Sequence, residues 1–223
     1  MIPSVPQNNN DNNEVNPMPA KAIYAAMVLL ALLAIPLKPF DSYFLIKALP
    51  ILYLAARAYL DFKGGARFWL CAALGLSALG DILLALEFKL QFVLGLSAFL
   101  LAQLAYGLLY IGQLDRARLW RVAIAVIFPI AALSLLIPMV GDMAIAVSAY
   151  TLAIGFMLLA AWGHKAPSLL IALGASCFIL SDSLIGFNKF VAAIPASDYW
   201  VMISYYLAQW LMFAGLRRYW RPS

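Results

Sequence analysis

The sequence predicts an all-α fold, a polytopic membrane protein of eight transmembrane helices. Three observations predict it. The 223 residues are 65% hydrophobic and only 11% charged, against about one charged residue in four for soluble globular domains. The apolar residues fall into eight runs, each long enough to cross a hydrocarbon core about 30 Å thick. The connections between the runs are short and hold the turn-formers and charges that the runs lack.

Taken in order, residues 1–19 (MIPSVPQNNNDNNEVNPMP) are rich in Asn and Pro and poor in large apolar groups. They predict a disordered tail, because such a segment buries too little surface to offset its ordering entropy. Asp11 and Glu14 argue against a signal peptide, so the tail precedes an uncleaved first helix. The transmembrane domain then covers 20–218, with spans at 20–38, 42–60, 67–87, 91–112, 119–138, 142–162, 168–188 and 198–217. Pro36 and Pro39, Gly64 and Gly65, Asp115 to Arg118, Pro138 and Gly141, Pro167 and Pro195 punctuate them. Pro50 and Pro129 fall inside spans, where membrane helices accept them as kinks.

Lysine and arginine set the orientation. Eleven lie on the side of the N-terminus and three (Lys38, Lys89, Lys189) on the other, with Lys47 inside a span. Both termini are therefore expected in the cytoplasm, and a cell inner membrane is the expected location. The basic residues are scattered singly, without the stripe that a nucleic-acid surface needs. Cys71 and Cys177 lie singly in apolar runs as small core residues, and His164, the one histidine, sits in a polar connection. No metal or organic cofactor is called for, and no serine-hydrolase elbow, zinc motif, P-loop or dinucleotide fingerprint is present.

The chain repeats itself faintly. LGD ending at Asp81 matches LSD ending at Asp182, and the span after each carries an Ala-Gln, in FLLAQ at 99–103 and YYLAQ at 205–209. Repeated words four helices apart share an orientation, which predicts two parallel four-helix repeats about an axis normal to the membrane.

Function is expected where polar residues stand in spans that should reject them. A carboxylate in a bilayer is costly unless it faces a protein interior or water, so Asp81 and Asp182 are functional candidates. Lys47, Tyr150, Tyr205, Tyr206, Gln103 and Gln209 fall at related depths, ~7–17 Å below the outer surface at about 1.5 Å per residue. Six helices thus contribute to one polar layer, expected to be a single cavity. Two acids sharing a low-dielectric site cannot both ionise easily, so one holds a proton while the other stays charged. The first serves as general acid; the second orients water or stabilises a cationic intermediate.

At these residues the chain resembles the YhhN family of polytopic membrane proteins, whose characterised members are lysoplasmalogenases. Lys47 with Pro50, the GD-x-LL of Gly80, Asp81, Leu83 and Leu84, Tyr150, the SD of Ser181 and Asp182, and the YYLAQ of 205–209 match in order across 42–217. The family often carries a histidine in the fourth span, where this chain has Gln103. The resemblance implies hydrolysis of the vinyl ether bond of a lysolipid taken from the outer leaflet, giving a fatty aldehyde and a glycerophospho-alcohol. It implies Asp81 and Asp182 as the acid–base pair, with Lys47, Gln103, Tyr150, Ser181, Tyr205, Tyr206 and Gln209 binding substrate. Two other classes share these features: a proton-coupled carrier using the same aspartates, and a membrane lipid-binding protein without turnover.

Overall fold

The computed structural model describes residues 17–125, 127, 130–131, 134, 137–166 and 169–220. Every regular element among them is helical: α1 (Pro17–Leu33), α2 (Tyr43–Asp61), α3 (Gly64–Ala85), α4 (Gln91–Ile111), α5 (Leu119–Ala125), α6 (Ala144–Gly163), α7 (Leu170–Phe190) and α8 (Ser197–Trp220), with single 3-10 turns at several joints. Helix α1 begins three residues before the predicted span. Pro17 and Pro19 fall in its first turn, where a missing N–H costs no hydrogen bond. The rest of the expected tail, residues 1–16, lies outside the described residues, as do Pro129 and much of the expected fifth span.

Among the described residues, six helices are long and apolar enough to cross a membrane: Ala20–Leu37, Tyr43–Asp61, Gly64–Ala85, Gln91–Ile111, Ala144–Gly163 and Leu170–Phe190. The protein is an integral membrane protein. Helix α8 has the length, but Ser, Tyr, Gln and terminal charges make it less apolar than those six.

Neighbour contacts join α2 to α3, α3 to α4, α4 to α6, α6 to α7, α7 to α8, and α8 back to α2, closing a ring of six helices. Helix α1 packs outside the ring on α2 and α8, and α5 packs outside on α6. Small residues let the ring close tightly. A Cβ on Gly80 would stand 2.7 Å from the Phe99 ring, and one on Gly174 would stand 2.8 Å from the Met212 backbone nitrogen.

Both ends of the α2–α8 seam carry ion pairs. At one end Asp61 accepts from Arg57 at 3.0 Å and is ion-paired with Arg217 at 3.1 Å. At the other, Lys38 meets Asp198 at 2.9 Å. His164 lies in the short connection after α6, where its Nδ1 accepts from the Ala166 N–H at 3.0 Å. Burial, then the nearby Lys165 and Arg118 charges, push its pKa down to about 4, so it is a neutral packing residue at neutral pH.

Candidate functional site

Helices α2, α4, α6 and α8 begin, and α3 and α7 end, at the same end of the ring, so the predicted polar residues gather in one layer. Within that layer they sort into two clusters.

The first surrounds Asp81, four residues before the end of α3 and 1% exposed. Its Oδ2 accepts from the Tyr205 hydroxyl at 2.7 Å. Its Oδ1 stands 3.6 Å from Lys47 Nζ. The Tyr206 hydroxyl donates to the Lys47 carbonyl at 2.7 Å, in the turn that Pro50 interrupts. Tyr24 of α1 in turn donates to the Tyr206 carbonyl at 2.8 Å. A lysine whose helix is held at its own carbonyl is less free to snorkel outward, and here its ammonium points back to a buried carboxylate.

The second surrounds Asp182 on α7. Its Oδ2 accepts from the Tyr150 hydroxyl and from Gln103 Nε2, each at 2.6 Å. The same Gln103 nitrogen lies 2.9 Å from the Tyr150 oxygen. Asp182 Oδ1 has no partner among the described residues. Among the described residues no cation pairs with Asp182: its donors are neutral, and the ammonium of the layer belongs to Asp81.

Aromatic rings stand between the clusters. Phe99, Phe178 and Tyr205 pack edge to face in a triangle, with ring centroids 5.6–6.1 Å apart. In place of the single expected cavity, the described residues line two separate spaces off the layer. A narrow, mostly apolar slot of about 70 Å³ lies between α4, α6 and α7 and includes Tyr150, Thr151 and Asp182. A wider polar cavity of about 800 Å³ includes Lys47 with Lys38, Lys189, Asp41, Glu87 and Asp198. The two share Phe92 and Ile185 as walls. Asp81 lines neither; it sits behind Lys47.

The remaining predicted residues are engaged with other helices. Ser181 donates to the Val201 carbonyl at 3.1 Å, binding α7 to α8. Gln209 accepts from the Tyr106 hydroxyl at 2.5 Å, binding α8 to α4. Sequence reasoning missed Phe92, Phe99 and Tyr106, because an aromatic residue in an apolar span looks like packing. The repeat held one signal: aligning FLLAQ with YYLAQ sets Phe99 against Tyr205, the residue that bonds Asp81. Among the described residues no three His, Cys, Asp or Glu side chains gather as a metal site requires.

Comparison with known proteins adds to this geometry. The profile of the YhhN family matches residues 42–216. A lysoplasmalogenase of Mycobacterium bovis is 37% identical over 177 residues, covering 76% of this chain and 68% of that protein. Lysoplasmalogenase TMEM86B of Sus scrofa is 35% identical, covering 75% of this chain and 72% of that protein. Its counterpart in Homo sapiens is 33% identical over the same shares. No solved structure matches the chain.

Proposed function

The chain belongs to the YhhN family, and from that footing we propose that it hydrolyses the vinyl ether bond of a lysoplasmalogen to a fatty aldehyde and a glycerophospho-alcohol. It is an enzyme of the lysoplasmalogenase kind, acting on a lysolipid within the membrane. The observation that carries the mechanism is the unequal partnering of its two aspartates: Asp81 against an ammonium, Asp182 against neutral donors at the wall of an apolar slot.

A vinyl ether hydrolyses by protonation at carbon, and that step needs a strong proton donor beside an apolar chain. A half-buried carboxyl beside an apolar slot, with neutral donors and no counter-ion, is suited to carry a proton, so Asp182 is the group we assign as general acid. Its O–H bond breaks as a C–H bond forms at the outer vinyl carbon, leaving an oxocarbenium ion beside the new carboxylate. That carboxylate stabilises the cation and then accepts a proton from the water that adds to it. The resulting hemiacetal collapses: its hydroxyl gives up a proton, the bond from that carbon to the glyceryl oxygen breaks, and that oxygen takes up a proton, releasing aldehyde and alcohol. Tyr150 and Gln103 fix the carboxyl through Oδ2 and leave Oδ1 to exchange the proton.

Asp81 is the carboxylate that stays charged. It neutralises Lys47, whose ammonium would otherwise oppose a positive charge forming nearby, and Tyr205 holds it in place. Tyr206, Gln209 and Ser181 hold α2, α4, α7 and α8 in register around the pair.

We place this site in the outer half of a cell inner membrane, reached from the outer leaflet, with both termini cytoplasmic. Eight spans in two four-helix repeats complete the reading. The neighbour order supports the repeat, since α1 lies against α2 as α5 lies against α6, and each outer helix is followed by three ring helices. The decisive experiment is incubation of the purified protein with a panel of lysolipids. Aldehyde should appear from vinyl ether lysolipids and not from saturated ether or ester analogues; no aldehyde from any of them would overturn the proposal.

A further inference from the structure

The wide cavity contains three lysines that are not equivalent. Lys38 is paired with Asp198 at 2.9 Å, and Lys47 stands 3.6 Å from Asp81. Lys189 has no carboxylate partner among the described residues. Its Nζ lies 5.2 Å from the centre of the Phe92 ring, and Phe92 is the residue that walls both the cavity and the slot. The unneutralised ammonium of the cavity therefore stands at the doorway between the polar space and the apolar one.

Its position relative to Asp182 matters as much as its charge. Lys189 is seven residues after Asp182 in the same helix, on the same face and about 10 Å further along the axis at 1.5 Å per residue. In a glycerophospholipid with an alkenyl chain, six bonds separate the ether-bearing vinyl carbon from phosphorus, roughly 7–8 Å when extended at ordinary bond lengths. Two flexible side chains span the difference. With the chain in the slot and the vinyl ether at Asp182, the phosphodiester falls at Lys189.

We propose that Lys189 is the phosphate anchor of the substrate, which sets the register of the vinyl ether at Asp182 and restricts the enzyme to ether lipids that carry phosphate. The inference rests on the lysoplasmalogenase reading above. Asp41 and Glu87 also line the cavity, so it is not a general trap for anions; a phosphate there depends on the one ammonium without a carboxylate partner among the described residues, Lys189. The rival role for a lysine in the last turn of a helix is to complement the helix dipole, which would affect stability and not ligand choice.

The test is equilibrium binding to the full chain in detergent micelles, with two ligands that resist cleavage and share one saturated alkyl chain: a 1-alkyl-glycerophospholipid and the phosphate-free 1-alkylglycerol. Wild-type protein should hold the phospholipid about tenfold more tightly, the worth of one hydrogen bond to a charged group. Lys189→Gln should erase that preference while leaving alkylglycerol affinity unchanged, and Lys189→Arg should restore it. Equal loss for both ligands, or no loss for either, would overturn the proposal. So would displacement of the phospholipid by inorganic phosphate at matching concentration, since the anchor would then bind free anion and not a lipid headgroup. Because binding needs no turnover, an absence of aldehyde in the assay above would count against the reaction and leave this result to stand or fall by itself.

Discussion

The α2–α4 stretch and the α6–α8 stretch place an aspartate at one register, in LGD at 79–81 and LSD at 180–182, and surround it differently. In the first, the preceding helix supplies a lysine; in the second, it supplies Tyr150. In the first, the YYLAQ helix reaches the carboxylate with Tyr205; in the second, the FLLAQ helix presents Phe99 at the matching position and reaches with Gln103 one turn later. One half thus holds a charge-compensated carboxylate, and the other a carboxyl among neutral donors beside an apolar slot. Two aspartates given the same environment would be two like carboxyls. On the proposed mechanism, the difference in surrounding residues separates a proton donor, Asp182, from a fixed charge, Asp81.

The largest effect that bears on this comparison is loss of the titrating groups. Asp182→Asn keeps size and some hydrogen bonding and should lower aldehyde release by at least ~100-fold, the lower worth of general acid–base catalysis; Asp81→Asn, which leaves the Lys47 ammonium uncompensated, should lower it as well. Thermal stability measured on the same purified variants separates this from a packing role. Near-normal release by both, however unstable the proteins, would remove the roles assigned to the two aspartates.

The outline of this contrast was legible in the sequence, and its details were not, for a physical reason. Asp81, Asp182 and Lys47 stand out because a charge in an apolar run is costly, and the spans stand out because hydrocarbon demands unbroken apolar helix. Which way a helix is rotated leaves little trace when nearly all of its faces are apolar. The partition of the polar layer by Phe99, Phe178 and Tyr205, and the division of partners between the two aspartates, depend on that rotation. Lys189 was counted only as an outer-side charge, because its place at the doorway depends on how α4 and α7 meet. The start of α1 at Pro17 was missed because Asn- and Pro-rich composition ends gradually, whereas proline in a first helical turn is allowed.

The next effect sharpens the first half of the comparison. Lys47→Met should strand Asp81 without its counter-ion and cost about 2 kcal/mol of stability, below the 3–5 kcal/mol of a fully buried pair because Lys47 borders the wide cavity. Adding Asp81→Asn should recover most of that loss, since no unpaired charge then remains. Thermal unfolding of the two single variants and the double variant makes the cycle. Additive losses would show that Lys47 and Asp81 do not sense each other, and the compensated half of the comparison would dissolve.

The smallest effect concerns the residue before each aspartate, Gly80 in one half and Ser181 in the other. The Phe99 ring presses where a Gly80 side chain would be, so that half has room only for glycine. Ser181 points instead to the α8 backbone and donates to the Val201 carbonyl. Its hydroxyl is buried and already engaged, which ties α7 to α8. Ser181→Ala should therefore cost about 1 kcal/mol of stability, the net worth of one neutral hydrogen bond, and leave aldehyde release per folded molecule unchanged. The measurement pairs turnover with the fraction of folded protein. A tenfold fall in turnover at unchanged stability would make Ser181 part of the substrate site, and the second aspartate would then have a polar neighbour for which its partner across the repeat has no counterpart.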